Sequence, residues 1–276
     1  MPDAPMSTKQ TAARFANALR SFSASGDAFR VLSTVPPRTE TPPPPPPPDS
    51  LIVLDSSFNP PTRAHAAMAS SAVRWAGPRA RLVLLLAVTN ADKALVPAPL
   101  AVRLGMMEAL ARELVRGRAP LQVDVAVTTR PYFHDKAAAI EGAGRYGRAE
   151  QVFLCGFDTV VRIFEPRYYE GVAGMGSALR PFFRRARLRV TMRPDDAWGT
   201  AEEQAAYVAG LEGTLGRSGG DAAWVRRIEL VDGVEGAVSS SRVRELVRTG
   251  ERGAAVEGLV GAEVARWIDE EGLYRE

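Results

Sequence analysis

Seven consecutive residues, Leu82 to Val88, form an apolar run with no polar alternation. A strand of that kind belongs where both of its faces are covered, as in a parallel sheet packed between helices. The segments around it keep the theme. Leu51 to Leu54 and Gln151 to Cys155 read as short buried strands, and Leu121 to Val127 alternates like one. Leu188 to Met192 and Arg227 to Val231 are later strands. Helical segments fall between and after them: Ala64 to Ala76, Leu100 to Val115, Lys136 to Tyr146, Thr159 to Phe164, Ala201 to Leu215, Ser241 to Thr249 and Ala262 to Glu270. This alternation predicts an α/β fold with a doubly wound parallel sheet. Ligands of such sheets sit beyond the carboxyl ends of the strands, so functional residues should follow strands directly.

The expected organisation is an N-terminal helical extension over 1–35, a proline-rich linker over 36–50 and one main domain over 51–276. Lys9 to Phe22 can form an amphipathic helix with Ala12, Phe15, Ala16, Leu19 and Phe22 on one face, followed by a short apolar piece, Phe29 to Val35. Asp3, Asp27 and a modest arginine count argue against a mitochondrial presequence, so the helix is expected to dock on the main domain and the compartment to be cytoplasm or nucleus. Pro42 to Pro48 form a polyproline II spacer; the other reading is a docking segment for an SH3-type partner. A net charge of +3, from 35 basic and 32 acidic residues, gives no field suited to nucleic acid. No apolar run approaches the ~18 residues of a membrane span. The single cysteine, Cys155, excludes an internal disulfide and a cysteine zinc site and fits a reducing compartment. Two histidines, His65 and His134, exclude most multi-histidine centres, and no metal site is expected. Lysine is rare (Lys9, Lys93 and Lys136), which makes any lysine in a cleft of interest. Oligomeric state is open.

The segment Asp55-Ser56-Ser57-Phe58-Asn59-Pro60-Pro61-Thr62-Arg63-Ala64-His65 runs from a strand end through a turn of small residues into a helix. Thr62 can cap that helix, and Ser56 and Ser57 keep the backbone accessible. Free N–H groups at a helix start favour phosphate, and His65 on the first turn would face the same space. A capped helix with a surface histidine is the alternative. The stretch Ser57-Phe58-Asn59-Pro60-x-Thr62-x-x-His65 closely resembles the GSFNPxTxxH motif of eukaryotic nicotinamide mononucleotide adenylyltransferases, members of the nucleotidylyltransferase superfamily with its HxGH-like motif. Threonine often stands at the first histidine position in the eukaryotic branch. Leu54 to Pro61 looks most like the divergent fungal branch, and Ser56 stands where better-known members have glycine.

Four further segments match in order. Lys93 before Leu95-Val96-Pro97, with Arg103 and Met106-Met107 downstream, resembles a family stretch whose lysine binds the mononucleotide phosphate; Arg103 is expected to pair with a carboxylate. Thr128-Thr129-Arg130-Pro131-Tyr132-Phe133 falls where the superfamily forms its pyridine pocket, and Tyr132 or Phe133 could stack on a flat ring, the alternative being core or rim. His134 is read as an ordinary loop residue. Leu154-Cys155-Gly156-Phe157-Asp158 resembles Leu-Cys-Gly-x-Asp, with Gly156 admitting ligand to the backbone, Asp158 holding a ribose or capping a helix, and Cys155 a buried core residue. Tyr168 and Tyr169 stand near the family's base-covering tryptophan. Val238-Ser239-Ser240-Ser241-Arg242-Val243-Arg244 resembles Ile-Ser-Ser-Thr-x-Ile-Arg.

The resemblance implies a Rossmann-like nucleotidylyltransferase fold and adenylyl transfer from ATP to nicotinamide mononucleotide, giving NAD and pyrophosphate. His65, Lys93 and Arg244 would be catalytic. Ser56, Ser57, Phe58, Thr62, Gly156, Asp158, Ser239, Ser240 and Arg242 would hold ATP. Asn59, Tyr132, Phe133, Tyr168 and Tyr169 would hold the mononucleotide. Mg2+ would arrive on ATP, mainly through water. Nicotinate mononucleotide as substrate, or an ATPase or nucleotide-binding module without transfer, are the alternatives.

Overall fold

The computed structural model describes residues 6–37, 46–88, 97–118, 120–169, 174–194, 198–233, 238–251 and 253–275. Lys93 and Pro42 to Pro45 lie outside them. The elements, in chain order, are α1 (Thr8–Ser25), β1 (Phe29–Val35), β2 (Ser50–Asp55), α2 (Arg63–Ala76), β3 (Ala80–Ala87), α3 (Leu100–Val115), β4 (Val123–Thr128), α4 (Phe133–Gly142), β5 (Glu150–Gly156), α5 (Phe157–Ile163), α6 (Met175–Arg185), β6 (Ala186–Thr191), α7 (Ala201–Leu215), β7 (Ile228–Val231), α8 (Ser240–Arg248), α9 (Ala254–Glu257) and α10 (Ala262–Glu270). The strands form one sheet in the order β1-β4-β3-β2-β5-β6-β7. All pairs are parallel except β1 with β4. No helix of the described residues is long and apolar enough to cross a membrane.

The apolar runs go where their composition requires. Alternate residues of β2, Leu51 and Val53, face a core shared with Val83, Leu85 and Phe153 and covered by α4 to α7. Ile52 and Leu54 face the opposite core, with Leu82, Leu84 and Leu154, covered by α1 to α3. A third cluster joins the outer side of α3 to α8 and α10, centred on Trp267. Gly105 of α3 is required there: a Cβ on it would stand 2.3 Å from the Trp267 ring. Trp267 is only 1% exposed and has nowhere to go. Overpacking on that scale costs up to ~3 kcal/mol, against ~1 kcal/mol gained in helix propensity. Gly105→Ala should therefore lose about 2 kcal/mol net, read as a lower urea midpoint.

The structure extends the sequence reading in three places. Phe29 to Val35, expected only as an apolar piece, is β1, the added antiparallel strand. Residues 175–185, absent from the expected helices, form α6 despite Pro181. The expected helix from Lys136 starts three residues earlier, at Phe133, so Lys136 lies within its first turn and points inward. The amphipathic N-terminal segment is α1; its Phe15 and Phe22 are 1% exposed against the α3 side of the sheet, and Arg14 pairs with Glu108 of α3 at 2.7 Å.

One polar knot lies inside the amino-terminal edge of the sheet. Asp124 of β4 is fully buried and accepts from Arg81 Nε (2.8 Å) and Nη2 (2.6 Å), from the Tyr146 hydroxyl (2.8 Å) and from Thr34 of β1 (2.5 Å). A buried carboxylate with this many donors is satisfied and cross-links three strands.

Candidate active site

The chain goes from β2 to β3 and β4 on one side of the sheet, then returns to β5 on the other side of β2. The strand order therefore reverses between β2 and β5, and the crevice belongs over their carboxyl ends. Asp55 closes β2 and Gly156 closes β5. Two larger cavities, of about 330 and 410 Å³, lie instead around the amino-terminal edge, lined in part by Arg148, Arg184, Arg79 and Arg145. Topology and side-chain chemistry both favour the carboxyl edge over these.

From Asp55 the chain makes a strained turn into α2. Phe58 adopts φ 45° and is fully buried, a left-handed conformation that costs a bulky residue on the order of 1–3 kcal/mol. Its side chain packs in the core, so only its backbone is offered to a ligand. Thr62 caps α2, and its backbone N–H donates to His65 Nδ1 at 3.0 Å, with the Thr62 hydroxyl 2.8 Å from the same nitrogen. On the other side of the ring, Nε2 is 2.9 Å from the Ser56 hydroxyl. The ring also packs on Phe58, centroids 5.2 Å apart.

Burial pushes the His65 pKa down from 6.5 to about 4. The unfolded chain takes up this proton near pH 6.5 and the folded chain only near 4. Stability contributed by the neutral ring is therefore full above pH 6.5 and falls as pH drops toward 4. At ~1.4 kcal/mol per unit the loss is at most about 3 kcal/mol. Urea midpoints taken from pH 7 to 4.5 should fall more steeply in wild type than in His65→Gln.

The turn after the last strand meets this one. Ser239 caps α8 by accepting from the Arg242 N–H at 3.2 Å. Ser240 Oγ donates to the Pro60 carbonyl at 2.8 Å, and Arg244 Nη1 to the Asn59 carbonyl at 2.7 Å. Arg244 Nη2 also reaches Ser241 Oγ at 3.0 Å. Segments some 180 positions apart thus form one wall. Asn59 is buried, and its Oδ1 accepts from the Tyr274 hydroxyl at 2.8 Å. Arg103 is buried nearby and donates to the Ala98 carbonyl at 2.7 Å. Its pKa is pushed down by burial, then raised by Tyr274 and lowered again by the charge of Arg244. Two guanidinium groups close enough to feel each other concentrate positive charge beside this wall.

At β5, Asp158 folds back over Gly156: a Cβ there would meet Asp158 Oδ1 at 2.7 Å, so only glycine lets this carboxylate lie against the strand end. Cys155 is buried, and burial, then Asp158 and Asp55, push its thiol pKa well up, so it is no nucleophile at neutral pH. The aromatic candidates separate. Phe133 packs on Phe153 of the core (5.3 Å). Tyr169 is buried, its hydroxyl donating to the Ile163 carbonyl at 2.6 Å. Tyr168 lies under Arg167 (5.1 Å). Tyr132 is 39% exposed and stacks nearly parallel on His134, centroids 5.7 Å apart. His134 in turn lies 5.9 Å from Tyr169. His134, in the first turn of α4 rather than in a loop, thus links the segment after β4 to the one after α5.

The sequence reading also passed over a buried ion pair. Lys136 Nζ lies 2.5 Å from Asp55 Oδ2, with side chains 6% and 10% exposed. Its rarity was the one available signal. A cavity of about 190 Å³ runs beside α2 past Met68 and Ser71 to Thr191 of β6 and Val231 of β7; none of these four was anticipated.

No protein-family model matches the chain. Two solved structures of Plasmodium falciparum nicotinic acid mononucleotide adenylyltransferase, one complexed with APC and one with NaAD, align with TM-scores of 0.51 and 0.52 over 82% of this chain and 97% of theirs. At 11% identity they speak for the fold. A Schizosaccharomyces pombe protein named "Putative nicotinamide mononucleotide adenylyltransferase" is 35% identical over 243 residues, 87% of this chain and 89% of its own. Likeness of that degree over nearly the whole of both chains, added to the joined turns at His65 and Arg244, means that the chain belongs to the nicotinamide mononucleotide adenylyltransferase family.

Proposed function

We propose that this nucleotidyltransferase joins ATP to nicotinamide mononucleotide, forming NAD and releasing pyrophosphate. The observation that carries the reading is the pair of hydrogen bonds from Ser240 and Arg244 to the carbonyls of Pro60 and Asn59, which join the first turn of α8 and its guanidinium to the turn that leads from β2 into α2. A triphosphate fits that chemistry. The mononucleotide phosphate attacks the α-phosphorus in line with departing pyrophosphate. A phosphate oxygen is nucleophilic enough at neutral pH, so the residues position the anions and offset growing charge rather than remove a proton.

The roles we assign combine the positions of the described residues with the family resemblance. The His65 turn lies at the α-phosphate. Arg244 and the N-terminus of α8, with Ser239 and Ser240, hold the β- and γ-phosphates, and Arg103 adds to the field. The 190 Å³ cavity beside α2 takes the base end of ATP. Tyr132 with His134 offers a flat face to the pyridine ring, and Asp158 faces a ribose. Lys93 holds the incoming phosphate, as the family resemblance implies. Magnesium enters with ATP.

The test is incubation with ATP, magnesium and each pyridine mononucleotide in turn, following dinucleotide and pyrophosphate. NAD and pyrophosphate in equal amounts are expected. Exclusive use of nicotinate mononucleotide would overturn the substrate, and free phosphate without dinucleotide would overturn the transfer.

A further inference from the structure

Ser56 stands where better-known members of the family carry glycine, and its hydroxyl is 2.9 Å from His65 Nε2. The direction of that bond follows from the other side of the ring. A backbone N–H can only donate, so His65 Nδ1, which receives the Thr62 N–H at 3.0 Å, presents a lone pair. A proton on Nδ1 would set N–H against N–H. The proton of the neutral ring is therefore on Nε2, and Nε2–H donates to Ser56 Oγ. Ser56 becomes an acceptor, and its own O–H is left to donate elsewhere. Ser56 immediately follows the end of β2, the carboxyl edge over which the switch-point crevice belongs.

We propose that Ser56, rather than the imidazole, is the donor that meets the α-phosphate oxygen, and that His65 polarises it from behind through the chain Nε2–H to Oγ–H to phosphate. Hydrogen bonds in such a chain strengthen one another, because a hydroxyl that accepts becomes a better donor. The neutral histidine thereby acts on the phosphate without carrying charge. The serine inserts one group between ring and substrate, and with the ring held from behind by the Thr62 N–H, an alanine here leaves a gap that Nε2–H does not span. This deepens the adenylyl-transfer reading and rests on it, but the His65–Ser56 bond can be examined without turnover.

Two experiments decide it. In the kinetic one, Ser56→Ala should lower kcat about 10²-fold, the scale of one lost transition-state donor. The double variant Ser56→Ala with His65→Ala should be no slower than His65→Ala alone, within about threefold, because the two act as one unit. Wild-type turnover in Ser56→Ala, or losses that multiply, would overturn the relay. In the spectroscopic one, 15N ring signals of the two histidines are recorded at pH 7, with His134→Gln to assign them. The Nε2–H tautomer is expected for His65, with its signal shifted by Ser56→Ala. Adding ATP with magnesium should move that signal in wild type and leave it nearly unmoved in Ser56→Ala. An Nδ1–H or charged ring, or a signal indifferent to Ser56, would sink the inference even where NAD is formed. Absence of NAD with these ring signals intact would sink the transfer reading instead.

Discussion

Arg244→Ala is expected to lower NAD formation about 10³-fold, toward the low end of what an arginine contributes when it meets phosphoryl charge. Two effects add. The first, on the proposed reading, is loss of positive charge where pyrophosphate would depart. The second is loss of the Nη1 bond to the Asn59 carbonyl, which ties α8 to the strained turn before α2. Arg244→Lys separates them. A lysine keeps the charge but cannot reach the Asn59 carbonyl and Ser241 Oγ together from one planar fork. It should recover part of the lost rate and leave KM for ATP raised. Steady-state pyrophosphate release, with circular dichroism to verify folding, makes the measurement. A folded Arg244→Ala protein within tenfold of wild type would remove this residue from the chemistry.

His65→Ala is expected to cost about 10²–10³ in kcat with a smaller change in KM for ATP, the pattern of a group whose support of the phosphate's donor matters as charge grows in the transition state. His65 is neutral at pH 7, since burial holds its pKa near 4, so on the proposed reading it would act as a dipole rather than a charge. Between pH 6.5 and 8 the wild-type rate should therefore show no histidine titration from this group. Near-normal turnover in His65→Ala would exclude the ring from the mechanism.

Much of this was readable beforehand, and the remainder failed for identifiable reasons. Strand runs such as Leu82 to Leu86 declare themselves because a strand covered on both faces needs no pattern partner. The meeting of the His65 and Arg244 turns was inferable from family order, since each follows a strand that ends on the same edge. α6 was not inferable, because Pro181 argues locally against a helix at a cost of ~3 kcal/mol. Burial of Leu179, Phe182 and Phe183, at ~1.5–3 kcal/mol each, outweighs it. β1 has only its end residues Phe29 and Val35 buried, so its identity as a strand depends on the bare edge of β4. The Lys136–Asp55 pair joins positions 81 apart across a helix and a strand, a match that no local pattern announces. The proton on His65 Nε2 is likewise a matter of which donor lies behind Nδ1.

β1 carries a practical lesson for anyone who would trim this protein to its motif-bearing part. A polypeptide beginning at position 50 would leave β4 as an outer rim with open amide and carbonyl groups, and would uncover the apolar ground on which Phe15 and Phe22 rest. Rims of that kind recruit other chains by strand addition. The shortened form should then clump in solution while its catalytic crevice, at the far side of β3 and β2, is still intact.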